Sequence, residues 1–187
     1  NGLPAQTGRI GLAVTAANPK VVMAVIQSDA GGTSGIDEVE SRAGGVFRSE
    51  DGGETFARVS KLNPRPFYFS QVRLDPANAD RVYLLGYGLS VSDDGGRTWR
   101  EDLFAKVHPD VHELVVTGSP LAPRPAPPKE GEPPETVRRP VSPRLLLGTD
   151  GGAYLSADAG GTWDHVDSIP SGQFYRISLD DSTPYRI

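Results

Sequence analysis

Two of the chain's three histidines fall within five residues, in His108-Pro109-Asp110-Val111-His112. Two neutral imidazoles and the Asp110 carboxylate are ligand types that suit zinc or a similar divalent metal. The spacing belongs to a loop rather than a helix face, however, and a hydrogen-bonded structural loop is the plainer alternative. Asp110 can also be paired with Asp150 as a catalytic couple, since a glycoside hydrolase needs two carboxylates about 5–10 Å apart across a sugar. Arg65, Phe67, Tyr68, Gln173, Tyr175 and Arg176 complete the set of residues with recognition chemistry. Tyrosine and phenylalanine rings can stack on a sugar or peptide, and a guanidinium can hold a carboxylate. The competing reading for Phe67, Tyr68 and Tyr175 is packing around a strand.

Whether these residues meet depends on the elements that carry them, and those are set by a repeat. Ser49-Glu50-Asp51-Gly52-Gly53-Glu54-Thr55-Phe56, Ser92-Asp93-Asp94-Gly95-Gly96-Arg97-Thr98-Trp99 and Ser156-Ala157-Asp158-Ala159-Gly160-Gly161-Thr162-Trp163 all fit S-x-D-x-G-x-T-aromatic. The first two begin 43 residues apart and the next interval is 64. The excess is accounted for by residues 118–144, which hold nine of the seventeen prolines and no aromatic residue. That composition predicts a solvated, disordered insertion without a core. Without it the period is the 40–50 residues typical of a four-stranded propeller blade.

The flanking segments fit four strands per repeat. Residues 9–15 alternate, with Ile10, Leu12 and Val14 on one face, and 21–26 form a continuous apolar run suited to a doubly buried strand. The same order is expected over 69–75, 81–86, 89–92 and 98–103, then over 112–117, 144–148, 152–156 and 162–166. Residues 173–180 read as one further strand. The expected organisation is therefore an all-β, partial β-propeller: blade one over 1–60, blade two over 61–104, blade three over 105–168 and the first strand of another blade in 169–187. Three blades plus a strand leave a sheet face uncovered, so the rest of a propeller, in the same polypeptide or another chain, is the expected partner. The opening at Asn1 without a methionine fits a processed or excised segment.

In each repeat the Asp (Asp51, Asp94, Asp158) is expected to accept backbone N–H groups of the turn, with Ser49, Ser92 and Ser156 and Thr55, Thr98 and Thr162 assisting. Gly53, Gly96 and Gly160 supply positive φ, and Phe56, Trp99 and Trp163 are expected to be buried between blades. Calcium binding is the weaker reading, because the spaced oxygen ligands and terminal Glu of a calcium loop are missing. Up-and-down strand order places these motifs at one end of the blades. It puts the 4–1 and 2–3 loops at the other, around the channel mouth. Arg65, Tyr68, His108, Asp110, His112, Asp150, Gln173, Tyr175 and Arg176 all fall at the mouth, as does the acidic stretch 28–44.

Composition narrows the functional classes. The net charge is −5, with no basic run of the kind that tracks phosphates, so nucleic acid is not expected as a partner. The absence of cysteine removes disulfides and thiolate chemistry. No apolar run approaches the ~20 residues of a membrane helix, and the first residues do not read as a signal peptide.

The three motifs, together with Gly8-Arg9-Ile10-Gly11, Arg65-Pro66-Phe67-Tyr68-Phe69-Ser70, His108-Pro109-Asp110-Val111-His112, Leu147-Gly148-Thr149-Asp150-Gly151-Gly152 and Gly172-Gln173-Phe174-Tyr175, resemble the Asp-box, or BNR-repeat, β-propellers. The nearer resemblance is to large bacterial sortilin-like and BNR-repeat glycosyl-hydrolase proteins. It covers nearly all of the chain outside 118–144. It implies a binding or scaffold propeller taking a peptide or glycan at the channel mouth, or else a glycoside hydrolase whose remaining catalytic residues lie outside this segment. It also implies a secreted or periplasmic location. Apart from the divalent metal weighed at His108, Asp110 and His112, no cofactor is expected. The Arg-Ile-Pro motif of true sialidases is not matched, since Tyr175-Arg176-Ile177 continues into Ser178.

Overall fold

The computed structural model describes residues 1–28, 43–101, 107–117, 144–168, 173, 175 and 177. The insertion 118–144 (all but Arg144), most of the acidic 28–44 stretch, Arg176 and most of 169–187 lie outside the described residues.

Among the described residues eleven strands form three antiparallel sheets, with no helix. The first sheet runs β1 (Ile10–Val14), β2 (Val22–Ile26), β3 (Gly45–Ser49) and β4 (Ala57–Ser60), in that spatial order. The second holds β5 (Gln71–Asp75), β6 (Asn78–Leu85) and β7 (Leu89–Ser92). The third holds β8 (Val111–Thr117), β9 (Arg144–Thr149), β10 (Gly152–Ser156) and β11 (Asp164–His165). Sequential neighbours pair throughout, which is the meander of a propeller blade. The chain is an all-β, partial β-propeller.

The second sheet departs from four full strands. After its turn the chain returns for a single bridge, Val91 with Arg100, closed by two backbone hydrogen bonds of 2.8 and 2.9 Å. Of the fourth strand expected over 98–103, the described residues show this one pair, and 102–106 lie outside the described residues. Of the strand expected over 173–180, only Gln173, Tyr175 and Ile177 are described, and none of them is in a strand.

The three first strands stand side by side and are tied by side chains rather than by a ladder. Thr15 Oγ1 donates to the Asp75 carbonyl at 2.8 Å, and Gln71 Nε2 donates to that of His112 at 2.7 Å. Arg73 Nε reaches the Leu114 carbonyl at 3.2 Å, and the same guanidinium pairs with Glu113. A Cβ on Gly11 would stand 2.2 Å from the Ser70 carbonyl oxygen, so glycine permits the first two strands to approach this closely.

Two apolar cores fill the spaces between sheets. Val21, Met23, Val25 and Val46 of the first pack against Val72, Leu74, Val82 and Leu84 of the second, with Trp99 at the margin. Tyr83, Leu85, Leu89 and Val91 of the second pack against Leu114, Leu145, Leu147 and Tyr154 of the third, with Trp163 at the margin. Burial of this kind, worth about 1.5–3 kcal/mol per large apolar side chain, is the main cohesive term. Arg48, almost fully buried, adds a polar tie by bonding the Ala79 carbonyl and Asp80 Oδ1 at 3.0 and 2.9 Å. Phe56 differs from its two counterparts. It lies against Ala24, Ile26 and Phe47 of its own sheet, on a face that no other described sheet covers.

Candidate functional site

Each repeated motif folds into one turn stitched by its own side chains. Thr55 Oγ1 and N donate to Asp51 at 2.5 and 3.0 Å, and Ser49 Oγ donates at 2.7 Å while accepting the Gly53 N–H at 2.9 Å. Asp94 receives Thr98 Oγ1, Thr98 N and Ser92 Oγ at 2.6, 2.9 and 2.7 Å, and Asp158 receives Thr162 N, Thr162 Oγ1 and Ser156 Oγ at 2.8, 2.8 and 2.9 Å. Ser92 Oγ accepts the Gly96 N–H, and Ser156 Oγ the Gly160 N–H, both at 2.8 Å. Hydroxyl and amide donors stabilise the ionised form, so the Asp51 and Asp94 carboxyls are held far below the usual range, foremost by the threonine hydroxyls. Asp158 is lowered too, first by the Thr162 N–H. Every donor comes from within the eight-residue motif, so these carboxylates act as fasteners of the turn.

The turns meet the loops between first and second strands. Gly52 N donates to the Lys20 carbonyl and Gly95 N to that of Asp80, each at 2.8 Å. Two shallow depressions open at this end, one beside Trp99 and Arg100 and one beside Arg48 and Phe56. Their walls are the motif side chains and interblade ties already described, so neither gathers free catalytic groups.

The opposite end holds the recognition residues. The linker before β5 folds tightly at Arg65-Pro66-Phe67-Tyr68-Phe69: Tyr68 N and Phe69 N both donate to the Arg65 carbonyl, at 2.9 and 3.1 Å. Ser70 Oγ closes the loop on the Pro66 carbonyl at 2.5 Å. The adjoining 86–88 turn is joined to the third sheet, with Asp110 N donating to the Tyr87 carbonyl at 3.0 Å and Val111 N to that of Gly86 at 2.9 Å.

His112, at the start of β8, lies at the centre. It is 5% exposed, and its Nε2 stands 2.6 Å from Asp150 Oδ1 in the turn between β9 and β10. The imidazole sits among Tyr175, Tyr68 and Phe69, with ring centroids 4.4, 5.7 and 5.8 Å away. The Tyr175 hydroxyl is pushed above its ordinary pKa, first by its hydrogen bond with Tyr68 and further by the charges of Asp150 and Asp110. Arg65 lies over the rings of Tyr68, Phe67 and Tyr87, its Cζ 4.7, 5.5 and 5.8 Å from their centroids.

Among the described residues, three of the four non-glycine residues with positive φ belong to this end: Arg65 at 44°, Ser70 at 42° and Asp110 at 63°. Such conformations cost free energy, and they persist where surrounding contacts fix a side chain's position.

Arg65, Tyr68, Asp110, His112, Asp150 and Tyr175 therefore converge. His108 does not join them: its Nδ1 is 2.8 Å from the Pro109 carbonyl oxygen, and its ring lies over Gly151, where a Cβ would come within 2.3 Å. Among the described residues no three His, Asp or Glu side chains are disposed to hold a metal ion, and His108, Asp110 and His112 have separate surroundings. Gln173 is exposed, and Arg176 lies outside the described residues. Tyr87 is the member that the sequence reading passed over. The signal available for it was an aromatic residue between two glycines, Gly86-Tyr87-Gly88, in a turn too short to bury it.

No protein-family model matches the chain, and no curated protein matches it. Solved structures do. The chain is similar to a GH74 enzyme of Niastella koreensis, with TM-score 0.59 and 18% identity, covering 87% of this chain and 22% of that one. It is similar to the GH74 xyloglucanase of Xanthomonas campestris, with TM-score 0.57 and 21% identity, covering 87% and 24%. It is also similar to an ancestral GH74 enzyme, with TM-score 0.55 and 16% identity, covering 87% and 20%. At these identities the likeness is one of fold, and the chain spans under a quarter of the length of those proteins. No helix among the described residues is long and apolar enough to cross a membrane.

Proposed function

We propose that this chain is a ligand-binding segment of a larger, sortilin-like Asp-box propeller, with a glycan or peptide received at the channel mouth. The observation that carries this reading is the convergence of exposed aromatic rings, Phe67, Tyr68, Tyr87 and Tyr175, around Arg65 and the His112–Asp150 pair, brought together from the 65–69 linker, the 86–88 turn, the start of β8, the β9–β10 turn and the segment after β11. Exposed aromatics beside fixed polar groups are the usual equipment for stacking and orienting a ligand.

A second reading, glycoside hydrolysis, draws on the likeness of fold to GH74 enzymes and on the two carboxylates, Asp110 and Asp150, beside Tyr175. Asp150 is already bonded to His112, which suits a positioned acceptor better than a general acid. The remaining catalytic group would lie outside this segment. Glycan-array binding and a panel of chromogenic glycosides, applied to the full polypeptide, separate the two readings. Binding without turnover supports the first. Turnover that survives loss of both Asp110 and Asp150 removes them from the site.

The same proposal gives the chain a partner. Val14, Leu74 and Val116 hold equivalent places, each in register through a second strand with the motif serine, Ser49, Ser92 or Ser156. Leu12, Val72 and Leu114 are equivalent in the same way. Val72 and Leu114 are buried against the preceding sheet, whereas Leu12 and Val14 are 64% and 69% exposed. Their equivalence to buried interblade residues supports reading this face as a blade interface, and we assign it to another blade of the propeller. An extracytoplasmic location fits this reading.

A further inference from the structure

Arg65 is a cation lying among the aromatic rings of the mouth, and no carboxylate of the described residues forms an ion pair with it. Its Nε is buried without a hydrogen-bond partner. The neighbouring rings satisfy the charge only partly: Tyr68, Phe67 and Tyr87 offer their π faces, at 4.7–5.8 Å. A guanidinium prefers in-plane oxygen acceptors, and a carboxylate meets its fork with two parallel hydrogen bonds. The backbone holds Arg65 at φ 44°, and two N–H groups lock its carbonyl, so the position is fixed before any ligand arrives. Three rings that are themselves exposed, Phe67, Tyr68 and Tyr87, stand immediately around it. The charges of Asp110 and Asp150 act on Tyr175 at the same mouth, so a ligand dense in negative charge would be repelled.

Resting on the ligand-binding reading above, we infer that Arg65 is an anion-recognition residue and that the ligand is a glycan bearing a carboxylate, with its sugar rings on Tyr68 and Tyr87 and its acid group on the guanidinium. The rings favour a pyranose face over a small free anion, which could not use them. The aspartates favour one or a few carboxylates over a sulfated polymer. Arg65 is a specificity residue in this arrangement and takes no part in bond breaking.

The test is calorimetric titration of the full polypeptide with short oligogalacturonides and with their methyl esters, which keep the rings and remove the charge. The acid form should bind at least about tenfold more tightly than the ester, since a charge-assisted hydrogen bond is worth roughly that factor or more. Arg65→Gln should abolish the preference, and Arg65→Lys should keep part of it, with the melting profile of each variant confirming that it folds. Weakening of the preference with added salt supports the same conclusion. Equal affinity for acid and ester, with both lost in Tyr87→Ala, would overturn the assignment of Arg65 while leaving the binding site standing. Failure to bind either saccharide, with capture instead of peptides ending in a free carboxylate, would overturn the glycan class. Absence of any binding that depends on Tyr68, Tyr87 or Arg65 would defeat this inference and the ligand-binding reading together.

Discussion

His112 Nε2 and Asp150 Oδ1 stand 2.6 Å apart, although 38 residues separate them in sequence. The imidazole is buried and the carboxylate partly exposed, so the pair fixes the ring that Tyr175 covers. A buried polar atom that loses its partner costs about 1–3 kcal/mol. Asp150→Ala should therefore destabilise the protein by that amount. His112→Ala should add little on top of it. Urea unfolding of the two single variants and the double variant gives the coupling directly, and strictly additive losses would show that the two residues do not act as a pair.

Asp94 predicts an acid dependence with a definite sign. Its folded-state pKa is depressed, chiefly by the Thr98 hydroxyl and N–H and by the Ser92 hydroxyl. A depressed group contributes stability at pH values above its unfolded pKa, about 3.9, and loses it as pH falls through the lower folded value. Asp94→Asn should melt at lower temperature than the parent at neutral pH. The difference should narrow once pH drops below about 4. A gap that is constant from pH 7 to pH 2.5 would contradict this.

The third motif carries a flaw that the first two lack. Ala159 is held at φ 61°, where Gly52 and Gly95 occupy the matching places at 82° and 75°. An L-residue in the left-handed region costs roughly 1–2 kcal/mol, and glycine avoids this at a smaller entropic cost. Ala159→Gly is expected to stabilise the turn by up to about 1 kcal/mol, read as a higher denaturation midpoint with unchanged slope. A loss of stability would mean that the Ala159 methyl group, itself largely buried, matters more than the strain.

Leu12 and Val14 report on what covers the first sheet. In the full polypeptide, Leu12→Glu together with Val14→Glu should cost more than about 2 kcal/mol if another blade packs there, because the charges would be desolvated. Surface substitutions with no covering element usually change stability by less than about 0.5 kcal/mol. A near-neutral result would leave the face open to solvent and remove the partner blade.

The sequence by itself determined the turns. Ser49, Asp51, Gly53 and Thr55 lie within seven positions, every bond among them is local, and the two later copies repeat the geometry. A contact that closes inside one turn is set by residue type and spacing, so a motif can be read for it directly. Alternation in 9–15 and the apolar run in 21–26 likewise gave β1 and β2, because side-chain direction in a strand follows a period of two. The tertiary structure decided which loop residues meet. His108 and His112 share a segment yet take different partners. Tyr87, from a turn of the second sheet, joins Arg65 and Tyr68, while His112 finds Asp150 across its own sheet. It also decided that Phe56 lies on an open face while Trp99 and Trp163 lie between sheets, although all three end the same motif. The physical reason is that such contacts depend on how successive sheets stack around the axis. That stacking is settled by the summed packing of Met23, Val72, Tyr83, Leu114 and their neighbours, none of which signals its partner through local spacing.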